Sequence, residues 1–322
     1  MRILVIGGTL FIGRAIVDRL AARGHEVTVL HRRDRHDLGP GIHNVQADRG
    51  DLPAIARILR DGNYDAVYDV AYDWGKGTTA AQVEAAARAC GDALQRYVFV
   101  SSIAAYGPGL AHREQDALVG NDYPNPYSLD KASSERALFS LHAASGFPVT
   151  TFRPPFVHGP RQPFYREAFF WDRLRAGRPI IVPENGLGTL QWVHVRDVAR
   201  AAVLAADEAR AIGHACNVAG PPVTQIDYLK LLADIAGRRA DLVFIPREEI
   251  QRQGGQLFAP PLYFGVYLDI PSITVRVDRA RAELGLDQTP LDEGLRETYS
   301  WYQQQERPRP DFSWEDRLLA AR

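Results

Sequence analysis

The chain has 322 residues, 46% of them hydrophobic, and carries 38 Lys and Arg against 39 Asp and Glu. That apolar content can bury a large core, in one large or two interleaved domains. A formal net charge of −1 gives no positive face for nucleic acid and no pull toward an acidic membrane, so neither partner is expected. The first residues form a strand rather than a secretory segment, and no apolar run approaches membrane-spanning length, so the protein is expected to be cytoplasmic. Cys90 and Cys216 lie far apart in apolar segments and read as reduced core residues.

In chain order, Ile3–Ile6 reads as a buried parallel strand, and Gly7-Gly8-Thr9-Leu10-Phe11-Ile12-Gly13 follows it. Ile12, Ala15, Ile16 and Leu20 then recur at helical spacing up to Gly24. A strand, a glycine turn and a helix start aim free N–H groups at an anion, most simply a dinucleotide pyrophosphate. Glu26–Leu30 is a second strand, ending in His31-Arg32-Arg33. An NAD-specific site carries an acid there for the ribose 2′-hydroxyl. Two guanidiniums in its place favour a 2′-phosphate, so NADP is expected over NAD, with Arg32 and Arg33 as its ligands. Asp48 follows the apolar stretch Ile42–Val45 and is placed near the adenine amino group.

Asp51–Arg60 is helical, Asp65–Asp69 a third strand, Thr78–Cys90 an Ala-rich helix and Arg96–Ser101 a fourth strand. Tyr127–Ser145 is a long helix ended by Gly146, and Pro148–Phe152 is a fifth strand. This alternation specifies a doubly wound α/β fold, a parallel sheet covered on both faces. Residues 1–160, with 190–216 returning, are expected to form the dinucleotide-binding core. Residues 161–189 and 217–322 are expected to form a smaller, interleaved substrate-binding region. Val193–Ala206 reads as a strand end and helix, and Phe258–Ile273 as an aromatic loop that walls a cleft or fills the core of the smaller region.

The chemistry is expected at Ser101-Ser102 and at Tyr127-Ser128-Leu129-Asp130-Lys131. Tyr127 and Lys131 are four apart and share a helix face. An ammonium beside a phenol favours the phenolate, so Tyr127 can pass a proton to or from a carbinol oxygen. Ser102 would hold the same oxygen. Asp73 and Trp74 follow the third strand at its carboxyl end and are candidate substrate contacts. His158 and His194 read as packing residues, and no metal-ligand spacing is present.

With these motifs the chain resembles the extended short-chain dehydrogenases/reductases, the NAD-dependent epimerase/dehydratase family. Further matching stretches are Phe152-Arg153-Pro154, Val193-His194-Val195-Arg196-Asp197 and Leu291-Asp292-Glu293-Gly294. The resemblance implies a Rossmann sheet and a catalytic triad of Ser102, Tyr127 and Lys131. It implies that Gly7, Thr9, Leu10, Phe11 and Ile12 line the pyrophosphate. Ala71 and Tyr72 would pass along the adenine ribose, and Pro154 would meet the nicotinamide carboxamide. A homodimer through the helices Thr78–Cys90 and Tyr127–Ser145 is expected, as in relatives.

The departures narrow the function. Leu10 stands where the family has its middle glycine, a variant found in a subgroup that includes chloroplast stem-loop RNA-binding proteins. Ile103 and Ala104 replace the acids of relatives that dehydrate or decarboxylate nucleotide sugars, so those reactions are not expected. Phe156 and Leu190 replace an Asn and an Arg that bind a nucleotide diphosphate, and Arg161, Arg166, Arg173 and Arg276 are the candidates to restore that charge. Epimerisation of a sugar-like secondary alcohol through a transient ketone is the first expectation, and net NADPH-dependent ketone reduction the second. An RNA-associated or regulatory protein without turnover is the alternative from another class.

Overall fold

The computed structural model describes residues 1–322. The chain begins β1 (Arg2–Ile6), α1 (Phe11–Ala22), β2 (Glu26–His31), β3 (Ile42–Gln46), α2 (Leu52–Gly62), β4 (Ala66–Asp69), α3 (Ala80–Arg88) and β5 (Arg96–Val100). It continues with β6 (Gly109–His112), α4 (Pro126–Ser145), β7 (Val149–Arg153), β8 (Phe156–His158), α5 (Glu167–Arg175), β9 (Ile180–Pro183), β10 (Thr189–His194), α6 (Val195–Asp207) and β11 (His214–Asn217). The remainder is β12 (Pro222–Thr224), α7 (Gln225–Ile235), β13 (Leu242–Ile245), α8 (Arg247–Arg252), β14 (Ile273–Val275), α9 (Asp278–Leu284), α10 (Leu291–Gln303) and α11 (Ser313–Ala320). Two units share this chain: residues 1–157, 193–220 and 273–289 form one, and residues 158–192, 221–272 and 290–322 the other.

The first unit is built on a seven-stranded parallel sheet in the order β11-β7-β5-β4-β1-β2-β3. The order reverses between β1 and β4, so the carboxyl ends of these strands open a crevice at the switch point. Side chains alternate between faces at a period of two. Ile3, Val5, Val98 and Val100 pack with Ile16, Val17 and Leu20 of α1 and Val198 and Ala202 of α6. Leu4, Ile6, Tyr97 and Phe99 pack with Ile55 and Leu59 of α2, Val83 of α3, and Leu138 and Leu141 of α4. Both faces are covered, and this explains why the strands are near-continuous apolar runs.

Two strands of the central sheet escape the sequence reading. β3 is an edge strand whose residues are half-buried or exposed, so it read only as the short apolar stretch Ile42–Val45 and not as a strand. β11 begins at the exposed His214 and is only four residues long. The strand expected at Val193 is real, but β10 pairs antiparallel with β12 through Thr189, Leu190 and Gln191 and is not part of the central sheet.

The first half of helix α4 meets this sheet through polar contacts. Glu135 is fully buried and accepts from the Arg153 guanidinium, whose Nη2 lies 2.6 Å from Oε2. The same carboxylate accepts from Ser101 Oγ at 2.5 Å and from Thr151 Oγ1 at 3.1 Å. Arg153 also donates to Tyr106 Oη at 2.5 Å, and Tyr106 Oη donates to Asn217 Oδ1 at 2.9 Å. A second buried pair joins Arg49 to Asp69, which also accepts from Tyr97 Oη at 2.8 Å.

The second unit has its own core. α7 packs on α5 and α10, and Trp192 stacks on Tyr228 with ring centroids 4.0 Å apart. Arg173 pairs with Glu315 where both side chains are 5% exposed. Tyr263 and Phe264 are buried at 2% and 1%, so these two aromatics of the 258–273 loop fill a core rather than wall a cleft.

Removing one partner of a buried ion pair strands the other charge. Arg153→Met is therefore expected to cost about 3–5 kcal/mol in urea unfolding, and adding Glu135→Leu to recover most of it. A double variant as unstable as the single one would refute this account.

Candidate active site

The turn after β1 is shaped by three glycines. Gly7 has φ +87°, and a Cβ there would sit 2.9 Å from the backbone of Ala71. A Cβ on Gly8 would meet Val29 Cγ1 at 2.7 Å, and one on Gly13 would run into the Gly7 carbonyl oxygen. The start of α1 is thus pressed onto the end of β1 and beside the segment after β4. Leu10 is the N-cap of α1 and supplies no side-chain acceptor to the first turn. The early N–H groups of a helix have no intrahelical partner, so this end favours an anion. Phe11 takes φ +36°, a left-handed value uncommon for a bulky residue. The chemistry of this cradle fits a dinucleotide pyrophosphate, and Gly7, Thr9, Leu10, Phe11 and Ile12 make up the turn and the start of α1.

Around the expected catalytic residues, α4 starts at Asn125, whose Oδ1 accepts from Ser128 N at 3.0 Å, with Pro126 in the first turn. That start sets the phase of the helix. Lys131 falls on the sheet side, 5% exposed, and its Nζ donates to the Val100 carbonyl at 2.7 Å. The ammonium also sits 4.9 Å from the Phe99 ring centroid, 5.4 Å from that of Tyr72 and 5.9 Å from that of Tyr127. Burial pushes the Lys131 pKa down to about 8. Ser102 lies two residues past Val100, is 8% exposed, and caps a short 3₁₀ turn by accepting from Ala104 N at 3.2 Å. Ile103 and Ala104 occupy that turn, so no acid stands there.

Tyr127 is half-buried under an aromatic cover that sequence reading identified only in part. Trp74 stacks on its ring at 5.0 Å and 21°, and Tyr72 meets it edge-on at 4.8 Å. Tyr72 Oη donates to Asp130 Oδ2 at 2.9 Å, so Asp130, between Leu129 and Lys131, ties this cover to α4. The signal in the sequence was an aromatic pair just past a buried strand; its partner on α4 carried none.

The remaining nominated residues are spread along the same strand ends. Arg32 is exposed and donates to Asp73 Oδ2 at 3.2 Å. Arg33 is exposed beside it, and its N–H donates to His31 Nδ1 at 3.3 Å. Asp48 is exposed and accepts from Gly50 N at 2.7 Å, the geometry of a turn residue ahead of α2. Pro154 is buried, and its carbonyl accepts from Ile103 N at 3.1 Å, joining the Ser102 turn to the end of β7. His194 accepts from Arg196 N as the cap of α6. Of the arginines considered for a diphosphate, Arg173 is committed to Glu315 and Arg276 to Asp278.

A buried lysine whose pKa falls below its unfolded value of about 10.5 carries a charge penalty at neutral pH. Lys131→Met is expected to raise stability by about 1–3 kcal/mol at pH 7. The sign follows from proton counting: between the two pKa values the unfolded chain binds more protons, so the wild type gains stability as pH rises. The advantage of the variant should therefore shrink from pH 8 to about 10.5 in paired urea titrations. A constant difference across that range would contradict the lowered pKa.

The comparisons with known proteins agree with this architecture. The model of the "NAD dependent epimerase/dehydratase family" matches residues 3–219. The "chloroplast stem-loop binding protein of 41 kDa b" of Arabidopsis thaliana is 28% identical over 344 aligned positions, covering 100% of this chain and 85% of that protein. The 2-alkyl-3-oxoalkanoate reductase of Stenotrophomonas maltophilia is 30% identical over 239 positions, covering 67% of this chain and 68% of that one. The solved UDP-glucose 4-epimerase of Thermotoga maritima aligns with TM-score 0.75 and 23% identity, covering 94% of this chain and 99% of that one, a likeness of fold. No helix is long and apolar enough to cross a membrane. With two thirds of its length under the family's pattern, the chain belongs to the NAD-dependent epimerase/dehydratase family.

Proposed function

We propose that the protein transfers hydride at a secondary alcohol or ketone carbon of a sugar-like substrate, with NADP(H) preferred over NAD(H), and epimerises that carbon through a transient ketone. The observation that carries this reading is the anchoring of Lys131 to the Val100 carbonyl at 2.7 Å. It ties the turn of helix that bears Tyr127 to the strand end that leads into Ser102.

A bound nicotinamide would supply the hydride chemistry at the carbinol carbon. Tyr127 takes the hydroxyl proton as the carbonyl forms and gives it back on reduction. Lys131, as ammonium, favours the phenolate form of Tyr127. Ser102 Oγ holds the reacting oxygen. Gly7, Thr9, Leu10, Phe11 and Ile12 receive the pyrophosphate, Ala71 and Tyr72 line the ribose, Asp48 the adenine, and Pro154 the carboxamide. Arg32 and Arg33 receive the 2′-phosphate. The buried Ile103 and the apolar Ala104 offer no proton for elimination or decarboxylation.

The first unit is read as the cofactor-binding part and the second as the substrate-binding part. A homodimer through α3 and α4 is part of the proposal, as is a cytoplasmic location, in keeping with two free thiols. With a net charge of −1 and no metal-ligand cluster, no nucleic-acid partner and no metal enter the reading. A second reading, net ketone reduction, is favoured by Phe156 and by Leu190, which is buried in β10 and offers no charge to a diphosphate. The reductase among the relatives supports it too.

Mass spectrometry of ligands released from the purified protein identifies the cofactor. A retained, unconsumed dinucleotide supports epimerisation, and stoichiometric NADPH consumption supports net reduction. Tyr127→Phe is expected to lower turnover by about 10²–10⁴-fold with dinucleotide affinity within about twofold of wild type. Full turnover in that variant would end the catalytic reading.

A further inference from the structure

The end of β2 bears no acid, yet an acid does face its first arginine. That acid is Asp73, from the loop after β4, and its Oδ2 lies 3.2 Å from Arg32 Nη1. The loop fixes this carboxylate in place. Asp73 Oδ1 accepts from Gly75 N at 2.9 Å and Lys76 N at 3.1 Å. The Asp73 N–H donates to Thr78 Oγ1 at 3.0 Å, and its carbonyl accepts from Gly77 N at 2.7 Å. The Gly75 and Lys76 N–H groups hold the carboxyl below the usual carboxylate range, so it is ionised at working pH.

The arginine is the looser partner. Its side chain is 66% exposed, against 31% for Asp73. An exposed pair of this kind is weak and exchanges readily. A phosphate carries more charge than a carboxylate and competes with it for a guanidinium. Asp73 cannot withdraw when that happens, because its other oxygen is held by two N–H groups. Its negative charge therefore stays beside the incoming phosphate.

We propose that Asp73 sets the cofactor choice: it occupies Arg32 when the adenosine ribose carries a free 2′-hydroxyl, and it opposes a 2′-phosphate arriving at the same guanidinium. The preference for NADP over NAD is thereby held below what Arg32 and Arg33 alone would give. The inference deepens the cofactor reading above and rests on it.

Asp73→Asn separates charge from structure, since the amide oxygen still accepts from Gly75 and Lys76. Dissociation constants for NADP⁺ and NAD⁺ are measured by calorimetry on the full chain at fixed salt, for the wild type, Asp73→Asn, Arg32→Ala and the double variant. Asp73→Asn is expected to tighten NADP⁺ about 3–10-fold and to change NAD⁺ by less than about twofold. Arg32→Ala is expected to weaken NADP⁺ by about tenfold or more. In that background Asp73→Asn should help NADP⁺ less than it does in the wild type, because the competition for Arg32 is gone. An unchanged NADP⁺ to NAD⁺ ratio in Asp73→Asn overturns the inference alone, as does an equal gain with and without Arg32. Failure of both nucleotides to bind any of the four proteins overturns the cofactor reading and this inference with it.

Discussion

The candidate site depends on how one long helix meets the sheet. α4 does not present a clean apolar stripe in its first half. Lys131 and Glu135, four apart, turn inward there, and each is satisfied by a group at the carboxyl end of a strand or just past it. Further along, Leu138 and Leu141 provide ordinary apolar packing against the sheet. Polar contacts of this kind are directional, whereas apolar packing tolerates sliding and rotation. The helix is therefore fixed in rotation where Tyr127 must be placed, and is held by burial where placement matters less.

Such an arrangement needs charge balance within the interior. Glu135 is answered by Arg153, and Asp69 by Arg49. Lys131 lies among these groups and has a backbone carbonyl as its hydrogen-bond acceptor. Buried pairs seldom add stability over apolar residues of like volume, but they penalise any packing in which a partner is lost. Here the penalty falls on packings that would displace the strand ends from the helix.

Much of this was legible in the sequence, and the rest was not for physical reasons. The central strands announced themselves because both of their faces are covered, which forces long apolar runs. The edge strand β3 is half solvated, so its pattern is mixed. β11 and residues 273–289 join the first unit through contacts made far along the chain, which local periodicity does not encode. Tyr127 and Lys131 were visible as a spaced pair beside a serine-ended strand. The Glu135–Arg153 pair was not, because a charged residue within an otherwise polar helix looks like surface. The Arg32–Asp73 pair joins loops 41 residues apart, and nothing in either loop names the other.

The stacking of Trp74 on Tyr127 has an optical consequence. Trp74 is 52% exposed, whereas Trp171, Trp192 and Trp314 are buried at 1%, 1% and 8%. A water-borne quencher such as iodide therefore reaches this indole ahead of those three and of the half-buried Trp301. Its emission is a native gauge of the loop that covers Tyr127, obtained without attaching any label.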